Sequence, residues 1–201
     1  MNLAAVITET RDTPNINEII EAHLIKLPEY TKLYFYGSNQ NNDRIKREHV
    51  FIEKDIQSIE QYCYWITSED FWNPIEEENV LIFQTDSGII GGNIEDFYEY
   101  HYIGSPLRGE HPFIYNGGFS FRHKSIMLDI IKRWKYYLPN DMHEDGFFSY
   151  KVEDYYKKTP KEIAEKFAVE NVFKLGTFGY HALERNFTTE QVNQIKNQVY
   201  E

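Results

Sequence analysis

The chain has 201 residues, enough for one domain with a sizeable core, and its 41% hydrophobic and 26% charged content is ordinary for a soluble globular protein. A formal net charge of −11 argues against a nucleic-acid surface, which needs clustered Lys and Arg, but leaves room for a small anionic ligand held by a metal ion or a single Arg. The lone cysteine, Cys63, excludes an internal disulfide; no apolar run reaches the length of a membrane span, and the start MNLAAVITETR lacks the basic and long apolar regions of a secretion signal, so a cytoplasmic location is expected.

The first segment, LAAVITET, is a short apolar run of strand type. In TPNINEIIEAHLIKLP, residues Ile16, Ile19, Ile20, Leu24 and Leu27 fall at helical spacing, with Pro14 suited to the first turn. KLYFYG reads as a second strand closed by Gly37, and SNQNNDRIKREH as a long exposed loop. DIQSIEQYCYWIT repeats the helical pattern through Ile56, Ile59, Cys63 and Ile66, which makes Cys63 a buried, inert thiol. NVLIFQT is the third strand, and its unbroken apolar character marks it as central.

This β-α-β-α-β beginning predicts an α/β domain with a parallel sheet covered by helices on both faces. Further on, YHYIGSP and FIYNGGFSF read as strands interrupted by Gly and Pro, with helices near 124–137 and 146–157. A last helix near 189–200 starts with a capping box, Thr188 and Gln191. No repeat, low-complexity tract or linker divides residues 1–201, so a single domain is expected. The sequon at Asn186 is then a chance match. The aromatic share of 16%, with 16 Tyr and 14 Phe, calls for a large core or an aromatic-lined cleft suited to sugars or bases.

VLIFQTDSGII changes from buried strand to acid and glycine within a few residues. Beyond the carboxyl end of a central parallel strand, Asp86 can offer a hard oxygen to Mg²⁺ or Mn²⁺, while Ser87 and Gly88 let the backbone turn close to a ligand. A side-chain turn made by Asp86 and Ser87 explains the same residues equally well. Arg11 follows the first strand and can reach a phosphate or base, or is a plain surface residue. The glycines of Asn116-Gly117-Gly118 mark a bulge or a close backbone approach to a ligand. Glu144 and Asp145 precede a helical pattern, either complementing its dipole or providing a general base. His181 follows two glycines late in the chain; alone it carries little weight.

Taken in order, ETR, FQTDSGI, YHYIGSP, NGGFSFR, EDGFFS and GYHA resemble the GT-A-fold glycosyltransferase-like domains, and are especially similar to a single-domain glycosyltransferase module of large DNA viruses of algae, the chloroviruses. The similarity runs from the first strand to His181. It implies a metal-dependent transferase that moves a hexosyl-type sugar from a nucleotide diphosphate sugar, UDP-linked, to a hydroxyl of a glycan or glycoprotein acceptor, with inversion. Gln84-Thr85-Asp86 stands where the family carries Asp-x-Asp, so the resemblance leaves Asp86 as the carboxylate ligand, His181 as its partner on Mn²⁺ or Mg²⁺, and Gln84 as a ribose or sugar contact. It further implies that Thr8 and Arg11 hold the nucleotide, that Ser87, Asn116, Gly117 and Gly118 lie at the donor, and that Asp145, or Glu144 as second choice, takes the acceptor proton. Leu107 stands where relatives carry an aromatic. A module that binds nucleotide sugar or carbohydrate without catalysis is the alternative; a sugar nucleotidyltransferase is disfavoured because ITETRDTPN has no glycine for a phosphate loop.

Overall fold

A computed structural model describes residues 2–107, 114–137, 143–157 and 159–198. The chain runs through β1 (Leu3–Glu9), α1 (Ile16–Leu24), β2 (Lys32–Gly37), α2 (Asn39–Asn42), β3 (Val50–Glu53), α3 (Ile59–Ile66), α4 (Glu69–Trp72) and β4 (Asn79–Phe83). It continues with β5 (Ser87–Ile89), β6 (Tyr102–Pro106), β7 (Tyr115–His123), α5 (Lys124–Arg133), α6 (Glu144–Tyr155) and α7 (Lys161–Phe167), then β8 (Ala168–Val169), β9 (Gly179–His181), α8 (Leu183–Asn186) and α9 (Thr189–Lys196).

Six strands form the main sheet in the order β3-β2-β1-β4-β7-β6. The first four are parallel, because each is joined to the next by a helical crossover; β7 and β6 close the sheet antiparallel. Ala5 and Val6 of β1 face Leu81 and Ile82 of β4 across the centre, and every residue of β4 is buried, as its continuous apolar run requires. The chain lays β2 and β3 on one side of β1 and then returns to place β4 on the other, so the order reverses between β1 and β4. Such a reversal opens a crevice at the carboxyl ends of the two strands. A small second sheet, β5-β9-β8, folds over that end.

Three differences from the sequence reading bear on the site. SNQNNDRIKREH is a loop only in its second part: Ser38 caps α2, and Asn41 is fully buried, while residues 43–49 are irregular and mostly exposed or half-buried. Asn41 donates to the carbonyls of Glu9 (3.2 Å) and Arg11 (2.7 Å) and accepts from the Thr13 amide (3.0 Å), pinning the turn after β1. β3 follows at the sheet edge, too short to announce itself against its polar flank. The helix expected from 146 starts at Glu144, so both acids lie in its first turn, and the preceding helix ends at Arg133. The capping box of α9 forms as read, but the helix stops at Lys196; residues 199–201 lie outside the described part. Cys63 is buried, as expected, and its thiol is pushed up to about 11, first by burial.

Candidate donor and metal site

The crevice between β1 and β4 is a cleft of about 470 Å³. Thr8, Glu9, Thr10 and Arg11 line it from β1, Gln84, Thr85 and Asp86 from β4, Ile56 to Ile59 and Tyr62 from α3 and the segment before it, and Arg185 from α8. Thr8, Arg11, Gln84 and Asp86 therefore meet in one place, although up to 78 residues separate Thr8 from Asp86. The strand order brings them together.

Glu9, which sequence reading passed over, dominates the β1 wall. It is 4% exposed, yet both oxygens face Arg11: Nε donates to Oε1 at 2.9 Å and Nη2 to Oε2 at 2.6 Å. The Arg11 side chain is 78% exposed, lines the cleft and has donors left over after binding Glu9.

At the β4 end, three polar atoms converge. His181 Nε2 lies 3.1 Å from Gln84 Oε1 and 3.3 Å from Asp86 Oδ1. The antiparallel pairing of β5 with β9 makes this contact, setting Ser87 opposite His181. Burial works against charge on His181, but Asp86 and Glu170 outweigh it and raise the imidazole to about 9. Asp86 is held below the usual carboxylate range, chiefly by His181 and against burial, while Arg185 binds its other oxygen, Oδ2, at 3.0 Å. A backbone bond from the Ala182 amide to the Asp86 carbonyl (2.9 Å) ties the two segments, and Ala182 takes a left-handed φ of 48° to turn the chain from β9 into α8.

These atoms fit a divalent cation. Among the described residues no three His, Cys, Asp or Glu side chains are arranged so that together they could hold a metal ion, so a cation would need the Gln84 carbonyl beside Asp86 and His181. Neighbouring ligands in an octahedral Mg²⁺-type shell stand about 3 Å apart, close to the spacings found around His181 Nε2. The charges of Asp86 and Glu170 that raise the His181 imidazole are the same charges a cation would answer. Gly118 makes room: a Cβ there would lie 2.4 Å from His181 Nε2 and 2.7 Å from Gln84 Oε1.

The acidic pair sits behind the glycines and off the cleft wall. Glu144 is buried and bound by Arg122, with Nη1 to Oε2 at 2.9 Å and Nη2 to Oε1 at 3.3 Å. Arg122 is fully buried between the rings of Tyr102 and Phe148. For Glu144, the second choice as general base, the arginine engages both carboxylate oxygens and so disfavours it as a proton acceptor relative to Asp145. Among the described residues no arginine engages Asp145 in this way. Burial first, then the charge of Glu144, pushes it up to about 6, and its Oδ1 accepts from the Gly146 amide at 2.7 Å. Tyr62 links the two regions: its phenol is pushed up by burial and by Glu144, and it lies against Gln84.

Four other expected donor contacts, Ser87, Asn116, Gly117 and Gly118, do not line the cleft. Ser87 donates to the Gln84 carbonyl at 2.7 Å and lies 3.1 Å from His23 Nε2, so it closes the turn in the manner of the side-chain alternative. Asn116 Oδ1 accepts from the amides of Gly118 (2.8 Å) and Phe119 (3.2 Å), which makes it part of the bulge. Gly117 is glycine because a Cβ would lie 1.9 Å from Glu144 Oε1. Beyond Glu9, sequence reading also missed Arg185 and Glu170. Arg185 lies four residues after His181 in a short helical turn; Glu170 follows a two-residue strand and carried no signal.

The mixed sheet, with a crevice at its reversal point, is an α/β fold like that of solved glycosyltransferases. The glycosyltransferase GlyE of Streptococcus pneumoniae TIGR4, in its apo form, superposes with a TM-score of 0.52 at 14% identity, covering 81% of this chain and 46% of that one. The mannosyltransferase PcManGT of Pyrobaculum calidifontis, solved with GDP-Man and Mn²⁺, gives a TM-score of 0.54 at 10% identity, covering 81% and 55%. At such identities the likeness extends to the fold, and this chain spans about half the length of those proteins. A family model described as a protein of unknown function (DUF5672) matches residues 45–181, and the chain belongs to that family. No curated protein matches. The algal-virus resemblance rests on motif order alone. Among the described residues no helix is long and apolar enough to cross a membrane.

Proposed function

We propose that this protein is a glycosyltransferase that takes a sugar from a nucleotide diphosphate sugar, UDP-linked, and transfers it with inversion to a hydroxyl of a glycan or glycoprotein. The observation that carries the reading is the convergence of His181 Nε2, Gln84 Oε1 and Asp86 Oδ1 at the rim of the switch-point cleft. Thr8 and Arg11 line the part of that cleft assigned to the nucleotide, and Arg185 offers an exposed guanidinium beside the diphosphate position.

Asp86 and His181 would hold Mn²⁺ or Mg²⁺, with Gln84 as a neutral third contact; a carboxylate and imidazole set suits Mn²⁺. When bound, the ion supplies Lewis-acid stabilisation of the leaving diphosphate. The acceptor oxygen bonds to the anomeric carbon as the carbon–oxygen bond to the diphosphate breaks, and that electron pair leaves with the diphosphate. Asp145 takes the acceptor proton. At about 6, its carboxyl is ionised at neutral pH yet more basic than an ordinary aspartate, which suits a general base.

The second reading, a binding module without catalysis, is favoured by the position of Asp145 off the cleft wall among the described residues. Incubation with UDP-sugars and GDP-mannose, with Mn²⁺ or with chelator, separates the two. Mn²⁺-dependent release of nucleoside diphosphate is expected; binding with no turnover of any donor would favour the module.

A further inference from the structure

Behind His181 lies a carboxylate that the cleft does not use. β8 runs parallel to β9, with Ala168 opposite Gly179 and Val169 opposite Tyr180, so the next step of the register sets Glu170 beside His181. Glu170 Oε1 lies 3.3 Å from His181 Nδ1 and 3.2 Å from Asn116 Nδ2. Both partners are largely buried, the Glu170 side chain at 12% exposure and His181 at 5%.

Two fixed donors settle the direction of the whole chain of contacts. The Gly118 and Phe119 amides can only donate, so the Asn116 atom that faces them is its carbonyl oxygen. The amide nitrogen of Asn116 therefore points at Glu170, and Glu170 accepts. A carboxylate in that place can only accept from His181 Nδ1 as well, which turns Nε2 toward Asp86 and Gln84. The Nδ1 contact is close but not aligned as a hydrogen bond, and neither His181 Nδ1 nor Glu170 Oε2 has another partner among the described residues. Buried polar atoms left in that state are uncommon and call for an explanation.

We propose that Glu170, held in place by Asn116, is a positioning residue that orients His181 so that Nε2 faces the Asp86 and Gln84 oxygens, and that it sets the affinity of this site for a divalent cation. The inference rests on the metal-dependent reading above. Carboxylates that receive the second ring nitrogen of a metal-binding histidine fix the ring and strengthen it as a ligand. Glu170→Gln has nearly the same shape, but its NH₂ group can donate to Nδ1 and so favour the tautomer with its proton on Nε2.

The test is Mn²⁺ titration followed by the free-ion EPR signal, with and without UDP, alongside the unfolding temperature in chelator. Glu170→Gln is expected to weaken Mn²⁺ binding about 10–100-fold with little change in the unfolding temperature, and Glu170→Asp, which keeps the charge, to lose less. Asn116→Ala, which frees Glu170 without removing it, should shift Mn²⁺ affinity in the same direction. Mn²⁺ affinity within about threefold of the unaltered protein in both Glu170→Gln and Asn116→Ala would overturn the inference and leave the metal site standing. Loss of folding without loss of Mn²⁺ affinity in whatever remains folded would also overturn it. No Mn²⁺ binding by the unaltered protein would overturn the metal site and this inference together.

Discussion

Replacing Arg122 by methionine should destabilise the fold by about 3–5 kcal/mol, the range for stripping one partner from a buried ion pair. Methionine can fill much of the space between Tyr102 and Phe148, whose ring centres lie 4.7 and 5.2 Å from the guanidinium carbon, so lost packing is the smaller part. The larger part is electrostatic. The Glu144 carboxylate, with a side chain only 6% exposed, would keep its charge and lose both hydrogen bonds from the guanidinium. Ser120 Oγ and the Gly117 carbonyl, at 3.0 and 3.3 Å from Arg122, lose donors too. At about 2–4 °C per kcal/mol for a chain of this length, the melting temperature should fall by about 6–20 °C. Urea unfolding with an unchanged m-value measures the loss directly. The double variant Arg122→Met, Glu144→Leu removes the stranded charge and should be more stable than Arg122→Met alone. A loss below about 1 kcal/mol, or a double variant no better than the single, would refute the view that Glu144 exists to pair with Arg122.

Gly118→Ala puts a Cβ 2.4 Å from His181 Nε2, so the ring must move; Mn²⁺-dependent UDP-sugar binding, followed by calorimetry, should weaken at least about tenfold, which is about 1.4 kcal/mol. Asp145 must be ionised to accept a proton, so the transfer rate should rise with pH through about 6 and level off above it. Asp145→Asn should lose about 10²–10⁴-fold in rate, measured at saturating donor, and should abolish that acid limb. Cys63 is buried with its thiol pushed up to about 11, so a chromogenic thiol reagent at mildly alkaline pH should react only after denaturation.

The parts of the fold that could be read from sequence are those with long, one-sided patterns. β1, α1, β2 and β4 each bury a continuous or periodic apolar set, and α3 keeps only Cys63 and Ile66 of its expected face buried, with Ile56 ahead of the helix and Ile59 exposed. The alternation of these elements dictates the crossover topology that places Thr8, Arg11, Gln84 and Asp86 in one crevice. β3, β5, β8 and β9 have two to four residues each, below the length at which alternation can be distinguished from a loop. Their register depends on the sheet already being built. For that reason His181 could be singled out only by resemblance, and Glu170 not at all. The glycines at 117 and 118 were visible, but their purpose was not: both are forced by side chains distant in sequence, Glu144 for one and His181 for the other. The separation of Glu144 from Asp145 was equally hidden, because adjacent acids look alike until Arg122 takes one of them. Ser87 shows the reverse case, where the plain turn explanation was available and holds.

The central claim is that Asp86 and His181 form a metal-dependent donor site at the end of β4. Calorimetric titration of UDP-sugar in Mn²⁺ and in chelator tests it on the unaltered protein, Asp86→Ala and His181→Ala. The unaltered protein should bind more tightly with Mn²⁺ than with chelator, and each variant should lose that difference while remaining folded. Mn²⁺-dependent binding that survives both substitutions would contradict the claim.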